Sequence, residues 1–115
     1  MKKQLQKIDN PVSETSEQQI SNAVGFPIAG IGASAGGLEA LEQFFGNVPV
    51  NSGIAYVVIQ HLDPNHAGIM PELLQRTTRM HVLQATDNLQ VKPDHVYVIP
   101  PNKSMSVLNG HLYLF

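Results

Sequence analysis

Apolar residues fall in two patterns along this chain, and each predicts a different kind of strand. Ile28-Ala29-Gly30-Ile31-Gly32-Ala33 and Ile54-Ala55-Tyr56-Val57-Val58-Ile59-Gln60 are nearly unbroken apolar runs, as expected of strands buried on both faces. Between them the period changes. Leu38, Leu41, Phe44 and Phe45 recur at spacings of three and four, which predicts a helix from about Gly37 to Gly46 or Asn47. Gly46-Asn47-Val48-Pro49 is a stop signal, since Gly and Asn suit a C-cap and Pro cannot continue the helix. Strand, helix and strand within about 30 residues make a βαβ unit with parallel strands.

The second half continues in shorter pieces. Ile69, Met70, Leu73 and Leu74 predict a helix over residues 67 to about 79, with Pro71 confined to its first turn. His81 to Ala85 reads as a third strand, 86–88 as a turn, 89–94 as a loop and His95 to Ile99 as another buried strand. Asn109-Gly110, between the runs 104–108 and 111–115, is a strong two-residue hairpin signal. Residues 1–25 are rich in Gln, Ser, Asn, Glu and Lys and read as a flexible, solvated leader. Ser13 and Ser16 are possible caps of a short helix within it. The expected architecture is α/β: a three-layer αβα domain over residues 26–115 with a mostly parallel, doubly wound sheet and a C-terminal β-hairpin. A parallel sheet is normally covered on both faces, and only two helices are evident, so the sequence reads as a truncated domain or a fragment.

Composition narrows the function. The net charge of −2 and the scattered basic residues do not suit nucleic acid. The chain has no cysteine, which excludes disulfides and thiolate metal sites. No metal or cofactor is expected. No apolar run approaches the roughly 20 residues of a membrane span, and no signal core follows the basic N-terminus, so a cytoplasmic protein without membrane insertion is the default.

The candidate chemistry sits in Gly32-Ala33-Ser34-Ala35-Gly36-Gly37-Leu38, a strand, a glycine turn and a helix start. Three readings of Ser34 compete: a helix N-cap; part of a G-x-G-x-x-A dinucleotide turn; or a nucleophile on a sharp turn, which needs a base elsewhere. The dinucleotide reading also wants an acidic residue at the end of the second strand, where this chain has Gln60-His61. His61 lies at the carboxyl end of its strand, as Ser34 does. Ligands of open parallel sheets bind at those ends, and neighbouring strands lie about 5 Å apart. An imidazole there could take a proton from the hydroxyl. A polar loop role competes for His61, and His66 is a weaker candidate beside it.

Three separated motifs resemble the CheB-type protein-glutamate methylesterase domain: Gly32-Ala33-Ser34-Ala35-Gly36-Gly37-Leu38-Glu39-Ala40-Leu41, Val57-Val58-Ile59-Gln60-His61-Leu62, and Asp94-His95-Val96-Tyr97-Val98-Ile99-Pro100-Pro101. The Ser-Ala-Gly-Gly, Gln-His-Leu-Asp-Pro and Ile-Pro-Pro-Asn-Lys versions look most like forms fused to a CheR-type methyltransferase. The resemblance covers residues 26–115 and implies hydrolysis of glutamate γ-methyl esters, and deamidation of glutamine, on chemoreceptor helices. It implies Ser34 as nucleophile, His61 as general base and the Ala35 backbone N–H as an oxyanion donor. Ala35 stands where many members have Thr. The family's triad aspartate belongs to a later motif, past residue 115, and Asp63, Asp87 and Asp94 do not correspond to it. No receiver domain is evident in the leader. The chain as written is therefore expected to be inactive or nearly so, and a non-catalytic docking remnant is the alternative.

Overall fold

A computed structural model describes residues 17–20, 25–33, 37–60 and 70–115. The elements, in chain order, are β1 (Glu17–Ile20), β2 (Ile28–Ala33), α1 (Leu38–Asn47), β3 (Ala55–Gln60), α2 (Met70–Gln75), β4 (His81–Gln84), β5 (Leu89–Gln90), β6 (His95–Val98), β7 (Met105–Leu108) and β8 (His111–Leu114). They form a five-stranded sheet ordered β1-β2-β3-β6-β4 and a three-stranded sheet ordered β5-β8-β7. Strands β2, β3, β6 and β4 are mutually parallel. β1 runs antiparallel to β2, so an edge strand lies within the segment that the sequence suggested was leader. The Ser13 and Ser16 caps lie outside the described residues.

Handedness explains what covers each face. β2-α1-β3 and β3-α2-β4 advance the same way across the sheet, and right-handed crossovers put both connecting helices on one side. The step from β4 back to β6 reverses direction, so its connection lies on the other side. The core divides accordingly. Ile31, Tyr56, Val58, Val82, Val96 and Val98 pack with Leu41 and Phe45 of α1 and Met70 and Leu74 of α2. Their alternates Ile28, Ala55, Val57, Tyr97 and Ile99 pack with Ala85, Val91 and Leu112. Among the described residues the second cover is the small antiparallel sheet.

α1 begins and ends close to the expected positions, but its stop differs. The glycine does not terminate it in a left-handed conformation. The C-cap is Val48, extended at φ −86°, ψ 133°, as a residue before proline prefers. Asn47 Nδ2 donates to Gln43 O at 2.7 Å, a side-chain bond back into the helix's last turn. α2 is shorter than the sequence suggested and stops at Gln75. Thr77 N and Thr77 Oγ1 both donate to Leu74 O, at 2.9 and 2.7 Å. Gln75 then bridges to β4: its Nε2 donates to Met80 O at 2.7 Å and its Oε1 accepts from Val82 N at 3.0 Å. These bonds replace another helical turn, and side-chain competition of this sort is weakly visible in apolar periodicity.

The 89–94 loop contains the two-residue strand β5, paired with β8. The hairpin forms at the predicted place, with Asn109 and Gly110 at φ 53° and 79°, as a type I′ turn requires.

Candidate active site

β2 and β3 are in register along their whole lengths, from Ile28↔Ala55 to Ala33↔Gln60. They therefore finish level at one rim, with backbones about 4.8 Å apart. β6 extends that rim: Val98 pairs with Val58, and Ile99 N donates to Val58 O at 2.9 Å. Ser34 is the residue after Ala33, and His61 the residue after Gln60. Ser34, Ala35 and His61, with Asp63 and His66, lie outside the described residues.

The helix that follows β2 is described from its cap onward. Gly37 is the N-cap, at φ −92°, ψ 8°, and Leu41 N donates to Gly37 O at 2.9 Å to close the first turn. The cap thus falls three residues past Ser34, which removes the reading of that serine as the N-cap of α1. Gly37 has no side chain to satisfy the first helical N–H groups. A helix start of this kind favours negative charge. β3 ends in Gln60, so the strand end where a dinucleotide site needs a carboxylate offers none.

The other titratable candidates sit elsewhere. Asp94 precedes β6 at the opposite, amino rim. It adopts φ 62°, its Oδ1 accepts from Gly53 N at 2.8 Å, and its own N–H donates to Ile54 O at 2.9 Å. Asp87 Oδ1 accepts from Leu114 N at 2.8 Å, tying the β4–β5 turn to β8. His81 and His95 are register partners at the amino ends of β4 and β6, with ring centroids 5.5 Å apart. His95 Nδ1 lies 2.8 Å from Pro93 O, so that nitrogen carries the proton it donates. His111 Nδ1 lies 3.2 Å from Asn109 O in the hairpin. Burial pushes the Tyr97 hydroxyl above its ordinary range, against a weaker opposing effect of the bond it accepts from Lys92 N at 2.8 Å. Among the described residues no three His, Asp or Glu side chains gather to hold a metal.

The geometry defines an α/β domain with a parallel sheet in which β2 and β3 end level at the carboxyl rim. Residues 29–113 match the family described as CheB methylesterase. The crystal structure of the Thermotoga maritima CheB methylesterase catalytic domain superimposes with a TM-score of 0.68 at 32% identity, covering 80% of this chain and 50% of that one. A protein-glutamate methylesterase/protein-glutamine glutaminase of T. maritima is 33% identical over 95 residues, 81% of this chain and 28% of that protein. Protein-glutamate methylesterase/protein-glutamine glutaminase 2 of Pseudomonas aeruginosa is 36% identical over 80 residues, 70% of this chain and 23% of that protein. The chain belongs to the CheB methylesterase family. It spans about half of the solved catalytic domain and less than a third of these two curated relatives. Among the described residues no helix is long and apolar enough to cross a membrane.

Proposed function

We propose that this chain supplies the nucleophile and base of a protein-glutamate methylesterase and glutaminase acting on methylated chemoreceptor helices, alongside a CheR-type methyltransferase domain in the whole protein. The observation that carries the reading is the register Ala33↔Gln60, which ends the two strands preceding Ser34 and His61 at the same level. Family membership supports the reaction class. In the proposed step Ser34 Oγ attacks the ester carbonyl and His61 takes its proton. The Ala35 N–H, two residues before the Gly37 cap in sequence, stabilises the oxyanion. His61 returns the proton to the departing methanol, and water then releases the glutamate and restores the serine. With a glutamine substrate, ammonia leaves in place of methanol.

A second reading, a docking module without turnover, draws on a different observation. Asp94 lies at the opposite, amino rim and accepts from Gly53 N, and Asp87, which follows the carboxyl end of β4, accepts from Leu114 N of the second sheet, so we assign neither the role of orienting His61. Loss of the orienting carboxylate in a serine triad lowers turnover by about 10⁴.

A serine-directed fluorophosphonate separates the two readings. The esterase reading expects one label on Ser34, absent in Ser34→Ala and slowed in His61→Gln. Absence of label, or equal labelling in Ser34→Ala, overturns it. Methanol release from a methylated receptor by the chain alone is expected to be at least about 10³-fold below that of a complete triad enzyme.

A further inference from the structure

The last turn of α1, the segment after it and the segment after α2 line an open cleft of about 330 Å³. Its lining combines Phe45, Val48 and Val50 with Arg76, Thr78 and Arg79. Among the described residues no Asp or Glu lines it. Both arginines are exposed, Phe45 is buried, and Val50 is 43% exposed. The volume lies in the range of small-molecule sites, which combine apolar walls with a few directed polar groups.

The arginine side of this cleft stands on an ordered turn. Thr77 is bonded twice to Leu74 O. Gln75 Nε2 donates to Thr78 O at 3.2 Å and to Met80 O at 2.7 Å. Met80 N donates to Thr78 Oγ1 at 3.0 Å, which leaves the hydroxyl its own proton to give. Arg76 and Arg79 thus flank a hydroxyl whose proton no described residue accepts, on a hydrogen-bonded turn, and such preorganisation lowers the entropic cost of binding. Arginines near helix C-termini can simply offset the helix dipole. That role does not account for the cleft or for the part-exposed Val48 and Val50 that line it with the two arginines. Arginine is suited to oxyanions because its planar fork donates two bonds at once.

We infer that this cleft binds a small organic oxyanion, a carboxylate or phosphate ester, with its charge on Arg76, Arg79 and Thr78 and its apolar body against Val48 and Val50. The site lies at the amino rim. α1 runs back from the carboxyl rim, and six residues of strand separate the rims by about 20 Å. A ligand here does not compete for the Ser34 rim, and the inference is independent of the esterase reading.

The test is titration of the isotopically labelled full chain with phenyl phosphate, inorganic phosphate and phenol, following backbone amide shifts. Phenyl phosphate is expected to shift residues 45–50 and 76–79, to bind more tightly than phosphate, and to far exceed phenol. Arg76→Gln with Arg79→Gln should weaken it about tenfold or more, as loss of charge-assisted bonds does. Val50→Glu, which places a carboxylate in the cleft without touching either arginine, should weaken it as well. Ser34→Ala should leave it unchanged. Phenol binding as well as phenyl phosphate, shifts confined to other residues, or undiminished binding by a folded Arg76→Gln/Arg79→Gln chain or by Val50→Glu overturns the inference.

Discussion

The two faces of the parallel sheet are built from the same four strands yet covered by different means. On one face, helices present bulky side chains. Phe45 lies edge-on to Tyr56 with centroids 5.5 Å apart, and Phe44 meets the same ring at 6.0 Å. On the other face a three-stranded antiparallel sheet does the covering. Its side chains alternate, so Leu112 is fully buried while Leu108 of the neighbouring strand is 57% exposed. A helix can devote a whole stripe of residues to one core, whereas a strand gives every second residue. The cover of the second face thus depends on hairpin register, and the cover of the first on side-chain volume.

The largest effect should come from the volume side. Phe45→Ala removes a buried ring from between α1 and β3 and is expected to cost about 3–5 kcal/mol, measured as a lower urea midpoint at constant slope. Leu112→Ala, the matching cut on the other face, should cost about 2–4 kcal/mol. The two losses should add within about 0.5 kcal/mol, because the residues belong to separate core clusters. A larger coupling would mean that the faces are not independent.

Gly110→Ala tests the register side alone. At φ 79° an added Cβ costs about 1–2 kcal/mol, and the penalty should appear first as faster amide exchange in β7 and β8 while the helical face stays protected. Tyr97→Phe is the smallest change. It strands the Lys92 N–H that the hydroxyl accepts and should cost about 1 kcal/mol. It also has a pH signature. Burial raises Tyr97 above its reference value of 10.0, so the fold favours the neutral phenol. That contribution is intact below about pH 10 and is lost as pH climbs through the raised value. Urea midpoints measured below and above pH 10 should therefore diverge less in Tyr97→Phe than in the parent.

Much of this was legible from the residues. The apolar runs 28–33 and 54–60 could be little other than buried strands, and Asn109-Gly110 marked its hairpin because φ above zero suits those two residues. What resisted reading was settled by contacts distant in sequence or by single side chains. β1 exists through its pairing with β2. α2 ends because Gln75 turns to Met80 and Val82. The second face is closed by a sheet because the chain doubles back from β4 to β6. For the candidate site, the strand ends before Ser34 and His61 were predictable from the βαβ rule, and the register agrees. The cleft at Arg76 and Arg79 went unread. Arg-Thr-Thr-Arg looked like a helix end, and its one available signal was two arginines with no acidic neighbour between 73 and 86.

The antiparallel pairing of Glu17–Ile20 with Ile28–Ala33 bears on where this domain can safely be cut. A protein begun at residue 26, the boundary that composition suggests, would leave β2 with a bare row of N–H and C=O groups along its outer side. Such a row is a template for strands from other molecules. The shortened version is expected to self-associate at concentrations where one beginning before Glu17 stays monomeric, which sedimentation of the two side by side would reveal.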